Sequence, residues 1–384
     1  MTQGPASHAR AASAVVIGTG LIGTSVALAL RAGGSAVWLA DADPAAARLA
    51  AEMGAGAVLP PAGPEGGPAD IAVLAVPPAA VAAELAAAQQ RGLARCYTDV
   101  ASVKELPVRR AIELGCDLSS YVPGHPLSGR ERSGPAAARA DLFLGRPWVI
   151  CPLPENGADA LWLVTGLAEA CGAQPVRVSP AEHDQWVALV SHAPHVVAAA
   201  MAARLEHAAG GALALAGQGL RDVTRIAAGD PGMWRQILTA NAGPAAQVLR
   251  EVAAELQNAA AALDQAASGT APDGPAADGP TAAGVAEKEL AGLLERGSTG
   301  AGRIPGKRGG PARGFAVVQV IIPDRPGELA RLFLAAGEAG INIEDIGIEH
   351  SAGLPVGVAE LWVRPEAAEQ LSAVLAAGGW PVRR

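Results

Sequence analysis

Apolar runs of five or six residues recur through the first half of the chain, at 13–17 (SAVVI), 36–40 (AVWLA), 71–76 (IAVLAV), 96–100 (CYTDV), 147–151 (PWVIC) and 174–179 (QPVRVS). Alanine-rich stretches of helical length separate them. Continuously apolar strands alternating with helices predict a mostly parallel sheet covered on both faces. From residue 180 the pattern changes to long helical periodicities over 180–208 and 244–267, with no strand signal between them, which predicts an all-helical second domain. Residues 268–282, SGTAPDGPAADGPTA, form a Gly/Pro/Ala loop, and 284–295 a short helix. Residues 315–384 then run β-α-β-β-α-β: FAVVQVII, a helix from Pro326 to Gly340, strands in INIEDIGIEH and VGVAELWV, a second helix in PEAAEQLSAVLAAGG, and a closing WPV. That order is ferredoxin-like. The expected architecture is therefore α/β: a loose tail over 1–12, a parallel α/β domain over 13–179, a helical domain over 180–297, a linker over 298–313 and a small α+β domain over 314–384.

Composition narrows the class. At 384 residues the chain is long enough for two or three domains, and its 50% hydrophobic content can fill their cores. A net charge of -8 provides no dominant positive field, so no nucleic-acid partner is expected. Cys96, Cys116, Cys151 and Cys171 form no CxxC pair, and free thiols in a reducing cytoplasm are the simplest reading. Residues 11–30 carry one uncharged run that could pass for a secretion signal or membrane span. Gly18, Gly20 and Gly23 interrupt it, and a strand–turn–helix explains it better, so no membrane partner is expected. Arg296, Arg303, Lys307, Arg308 and Arg313 stand in 296–313 without an acid; a solvated basic linker is expected, the alternative being a segment packed across the helical domain. Lys104, Lys288 and Lys307 are the only lysines among 29 basic residues.

The chemistry begins at GTGLIG, Gly18 to Gly23, which follows the first strand and opens a helix. Gly18 suits a tight turn, Gly20 a close backbone approach to a pyrophosphate, and Gly23 helix–sheet packing; Leu21 and Ile22 open the helix whose amides face the phosphates. The second strand ends at Asp41, placed to hold a ribose 2′-hydroxyl and to repel a 2′-phosphate, which predicts NAD rather than NADP; Asp43 could share that role. This is a Rossmann-type fingerprint. Val76 and Pro77, in AVPP, end a later strand beside the expected cofactor crevice. His183, His192 and His195 are spaced by 9 and 3, which does not match HExxH, and no metal is expected.

Four further motifs follow: TDVASVKE (Thr98–Glu105), PGHPLSG (Pro123–Gly129), SHAPH (Ser191–His195) and RDVTRIAAGDPGMW (Arg221–Trp234). With GTGLIGTS and the His183–Asp184 pair, in this order, they resemble the prephenate/arogenate dehydrogenase family over about residues 13–310; DRPGELARL and GINIEDI make residues 315–384 resemble an ACT domain. The resemblance implies oxidative decarboxylation: a hydride leaves C4 of a cyclohexadienol for NAD, its hydroxyl loses a proton, and carbon dioxide departs as the ring aromatises. It implies that His125, in a Gly-His-Pro turn, accepts a hydrogen bond from the C4 hydroxyl and that Ser102 helps align it. It assigns Arg225 to the substrate carboxylate and His195 to the substrate side chain. His192 is the competing candidate for the side chain or a residue orienting His195. Trp234 is either a pocket wall or a core residue. Arg221 and Asp222 are expected as structural or interdomain ion partners, His183–Asp184 as a brace at the domain junction, and Pro194 as a helix kink or start.

Prephenate and arogenate both fit these residues. The helical domain is expected to form a homodimer, and the ACT-like domain to bind tyrosine as an inhibitor at Asp324–Leu329 and Gly340–Asn342. Two competing readings stand beside this one. A β-hydroxyacid dehydrogenase would need a lysine in the helical domain, where 180–300 offers only Lys288. A non-catalytic NAD or amino-acid sensor would not need Ser102, His125, His195 and Arg225 intact.

Overall fold

The computed structural model describes residues 11–128, 134–268, 282–304, 314–350 and 355–383. The chain divides into two compact units, 1–252 and 253–384. In the first, β1 (Ser13–Ile17), α1 (Leu21–Ala32), β2 (Ala36–Ala40), α2 (Pro44–Glu52), β3 (Ala57–Val58), β4 (Ala69–Leu74), α3 (Val81–Gln90) and β5 (Ala94–Asp99) build a five-stranded sheet in the order β3-β2-β1-β4-β5, with every pair parallel. Apolar clusters cover both faces, one around Val16, Leu30, Ile71 and Trp148, the other around Val15, Leu74, Leu85 and Tyr121. The uncharged run 11–30 thus becomes a buried strand, its turn and a helix. The fold begins before Ser13: Ala11 is buried and its carbonyl accepts from Ser35 Oγ, while the Ala12 amide donates to Asp70.

The remaining strands do not extend this sheet as one layer. After α4 (Glu105–Glu113), β6 (Gly124–Pro126), β7 (Pro147–Ile150) and β8 (Gln174–Arg177) form a second, three-stranded sheet, with α5 (Ala158–Ala170) between β7 and β8. β6 runs antiparallel to β7, and β7 parallel to β8. A single parallel bridge, Tyr97–Tyr121, links β5 to the segment entering β6.

The helical part starts at a capping box: Ser179 and Glu182 bond each other's amides ahead of α6 (Pro180–Val187). The helix does not stop at Pro194. It passes through a π-helical segment, 188–192, into α7 (Ala193–Ala203). Proline lacks the amide that an α-helix needs and crowds the carbonyl four residues back; the wider turn accommodates both. α8 (Gly210–Ala214), α9 (Gln218–Arg225), α10 (Pro231–Ala240) and the start of α11 (Ala242–Ser268) follow. Leu189, Val190, Leu215, Val223, Ile226 and Met233 are exposed on this part of the chain, Leu215 at 86%.

In the second unit, α12 (Ala282–Gly302) is longer than the expected 284–295 helix and absorbs the first residues of the expected linker. Arg296 belongs to this helix and reaches both oxygens of Glu255 on α11, so there the basic stretch is ordered and paired; the rest of it, 305–313, lies outside the described residues, as do 269–281 of the Gly/Pro/Ala loop. β9 (Ala316–Pro323), α13 (Glu328–Glu338), β10 (Asp345–His350), β11 (Val356–Val363), α14 (Pro365–Ala377) and β12 (Val382–Arg383) then form an antiparallel sheet in the order β10-β11-β9-β12. This is the ferredoxin-like order, with Gly340 at φ +69 just past α13 and a two-residue closing strand.

Candidate active site

The glycine loop has the geometry that its spacing predicts. Gly18 sits at φ +97, and a Cβ there would lie 2.3 Å from the Ala75 carbonyl oxygen; at Gly23 it would lie 1.9 Å from the Gly18 oxygen. At Gly20 it would meet no protein atom within 4 Å. Two glycines therefore bring β1, the loop after β4 and α1 into contact, and the third leaves open space at an α1 N-terminus that no side chain caps. Leu21 and Ile22 form the first turn of α1, and Val76 and Pro77 follow β4 beside Gly18. Asp41 directly follows β2 and accepts from Thr19 N at 2.6 Å and Thr19 Oγ1 at 2.9 Å. Thr19, the variable residue of the fingerprint, thus fixes the acid to the loop, a role that sequence reasoning missed. Asp43 does not share it: its side chain caps α2 through Ala45 N. These carbonyl-end loops of β1, β2 and β4 make a cradle that fits a dinucleotide without a 2′-phosphate.

Beyond β5, His125 lies on a strand, β6, rather than in the expected turn. Gly124 packs so closely on the end of β5 that a Cβ would lie 3.0 Å from the Asp99 oxygen and 3.2 Å from Thr98 Oγ1. His125 Nδ1 lies 2.9 Å from His183 Nε2, and His183 Nδ1 donates to Asp184 Oδ1 at 2.7 Å. The carboxylate only accepts, so it fixes the proton on His183 Nδ1; in the neutral His183 ring Nε2 then accepts from His125 Nδ1, and His125 is left with a bare Nε2. Asp184 is itself anchored, taking the Lys104 amide at 2.8 Å and the Glu105 amide at 2.9 Å. The His183–Asp184 pair therefore does join α6 to the segment after β5, and it also orients His125. Burial, the His183 ring and the Lys104 charge together hold the His125 imidazole well below its ordinary range, so it is neutral at pH 7.

Ser102 is half-buried on the loop between β5 and α4. Two residues on, the Lys104 ammonium is fully buried, donating to Asp99 Oδ1 and to the Gly124 carbonyl. Asp99 also takes the Tyr121 hydroxyl at 2.7 Å and the Ala101 amide at 2.9 Å. Sequence reasoning passed over this group, although a lysine in so arginine-rich a chain was a signal.

His192 and His195 separate clearly. His192 is 2% exposed, its Nδ1 accepts from Asn241 Nδ2 at 3.0 Å, and burial lowers its pKa to about 4. The same Asn241 amide donates to the Asp184 carbonyl, which ties His192 into the His183–Asp184 network rather than to His195. His195 stacks face to face on Trp234 at 3.7 Å, and its Nδ1 has no hydrogen-bond partner among the described residues. Trp234 is thus neither a plain core residue nor remote from the histidines: it also meets His192 edge-on at 6.3 Å. Arg225 ends α9, which packs on α7, and its side chain is exposed. Asp222 bonds Gln218 within α9, not a partner in another domain.

Residues 26–177 match the nucleotide-binding domain of prephenate dehydrogenase, and residues 179–270 its dimerization domain. A probable prephenate dehydrogenase of Streptomyces niveus is 40% identical over 371 residues, spanning 96% of this chain and 99% of that one. The chain belongs to the prephenate dehydrogenase family. Among solved structures, it is similar to the Aquifex aeolicus prephenate dehydrogenase in complex with hydroxyphenyl propionate and NAD+ (TM-score 0.63, 24% identity, 75% of this chain and 96% of that one). It is also similar to a Synechocystis arogenate dehydrogenase (TM-score 0.61, 25% identity, 75% and 98%). In this prephenate dehydrogenase family member Asp41, Ser102 and His125 fall in the matched nucleotide-binding domain, with the glycine loop just ahead of it, and His183, Asp184, His192, His195, Arg225 and Trp234 in the dimerization domain.

Proposed function

We propose that this chain catalyses the NAD-dependent oxidative decarboxylation of prephenate to 4-hydroxyphenylpyruvate. The observation that carries the reading is the Asp184–His183–His125 array, which presents a neutral imidazole with a bare Nε2 beyond the cofactor cradle. Nε2 takes the proton of the C4 hydroxyl as the C4 hydride leaves, and returns it to the oxygen when the ring aromatises with loss of carbon dioxide. The positive charge that forms on His125 is stabilised through His183 by the Asp184 carboxylate. Ser102 aligns the hydroxyl. Arg225, on the helix packed against α7, offers a planar cation to the ring carboxylate. His195, held on Trp234 with a nitrogen to spare, contacts the side chain. The Gly18–Gly23 loop, Asp41, Val76 and Pro77 hold NAD, which when bound supplies the hydride acceptor.

The dimerization domain and its exposed apolar side chains support a homodimer. Four free thiols among the described residues support a cytoplasmic enzyme. The ferredoxin-like domain, with its ordered Gly327–α13 turn, is proposed as the site at which tyrosine inhibits.

The decisive experiment follows NADH formation with prephenate and with arogenate, each with NAD and NADP. Turnover of prephenate with NAD is expected. Turnover of arogenate alone reassigns the substrate, and no turnover by folded protein that binds NAD replaces the enzyme by a sensor.

A further inference from the structure

Lys104 and Asp99 are both 0% exposed, yet the proposed chemistry uses neither. A buried ion pair is a poor means of gaining stability, because desolvating two charges offsets most of their attraction. The geometry supplies a different reason for it. In the β6–β7 pair the Pro123 carbonyl accepts from Cys151 N and the Leu127 amide donates to the Pro147 carbonyl, so the odd-numbered residues of β6 face β7. The Gly124 carbonyl therefore points off the free side of this three-residue strand, where the Lys104 ammonium takes it. The same residue's backbone amide holds Asp184, which holds His183. Lys104 thus touches both supports of His125: the strand that carries it and the helix pair that orients its ring. A compact ammonium can serve two acceptors in this closed space, where a planar guanidinium would need a wider one.

We propose that Lys104, locked by Asp99, is a positioning residue that fixes β6 against the end of β5 and so sets the place of the His125 ring. The inference rests on the proposed role of His125 as base. The titratable groups around His125 are His183 and Asp184 from α6, His192 from the π-helical segment, and Lys104 with its partner Asp99. Of these, Lys104 carries the fixed positive charge that helps keep the imidazole neutral.

The test pairs D99N with K104M, which removes both charges together, and adds K104Q, which removes the charge but keeps a donor for Gly124. In the double variant kcat should fall on the order of tenfold to a hundredfold, the scale of a misplaced reacting group. KM for NAD should stay within about twofold, because the cradle is untouched. Loss of the Lys104 cation raises the pKa of His125 and loss of the Asp99 anion lowers it; of the two, Lys104 is the charge that acts on the ring, so the acid limb of kcat should move to higher pH. The His125 ring resonance should titrate at higher pH in step with it. K104Q should recover part of kcat while the titration stays raised. A folded double variant with kcat within twofold of the parent and an unmoved ring titration would overturn the proposal. If the double variant does not fold, K104Q decides by the same titration. A parent that turns over neither prephenate nor arogenate would sink the proposed function, while the ring titration still reads Lys104 independently.

Discussion

At the scale of single residues, two desolvated histidines set how the protein answers pH. His125 and His192 both have pKa values lowered in the folded state, His125 chiefly by burial and the His183 ring, His192 to about 4 by burial. A histidine whose folded pKa lies below its unfolded value binds fewer protons when folded, so it costs stability as pH falls below the unfolded value of about 6.5. Lowering the pH from 7 to 5 should therefore lower Tm, by roughly 5 °C or more for a chain of this size. Activity should follow the same sign: the base must be neutral, and kcat should remain full at pH 7 and decline only well below it. A kcat profile with an acid midpoint at or above about 6.5, the ordinary imidazole value, would contradict a desolvated His125. Sequence patterns made His125, His195 and Arg225 legible because their motifs are local. They did not show Asp184 orienting His125 through His183, because that contact spans 58 residues and depends on where β6 lands.

Elements tell the same story with different causes. β1, β2, β4 and β5 were legible because strands buried on both faces carry largely apolar runs. β6 was not: three residues that end on one proline and follow another carry no period, and only the pairing with β7 makes them a strand. The π-helical segment was equally hidden, since SHAPH announces a proline but not the turn that accommodates it. Where sequence and structure agree, the glycine loop allows a sharp separation of roles. Gly23→Ala forces a Cβ to 1.9 Å from the Gly18 oxygen and to 2.8 Å from Ala75 Cβ, so α1 must shift off the sheet. Gly20→Ala meets no protein atom. The first should lower both Tm, through overpacking worth about 1–3 kcal/mol, and NADH affinity. The second should leave Tm within about 1 °C, since an unhindered surface change is worth under about 0.5 kcal/mol, yet weaken NADH binding by about tenfold or more, because the new methyl occupies the space the pyrophosphate needs. Equal loss of Tm in both variants would show that Gly20 is structural.

For the whole molecule, the question is what the ferredoxin-like domain contributes. Its core is its own: Val318, Val320, Leu332, Leu361, Leu371 and Trp380 close around one another. Trp380 donates to Glu328 at 2.8 Å and lies under Arg331 at 4.0 Å, which secures the start of α13, the helix that follows the Asp324–Gly327 turn. A domain with its own core and an ordered turn is not required to complete the chemistry, all of whose proposed groups lie before residue 235. Its proposed role is regulatory, and that separates two quantities. Ending the chain after residue 313 should leave turnover of substrate measurable while abolishing inhibition by added tyrosine. The readout is the initial rate of NADH formation at fixed substrate across a tyrosine titration, for the full and shortened chains. Inhibition of equal strength in both would move the tyrosine site out of this domain and into the part of the chain that carries His125 and His195, where a phenol-bearing amino acid would compete directly with substrate. Tyrosine without effect on the full chain would leave the domain a purely structural role, and its ordered α13 turn would then need no ligand to explain it.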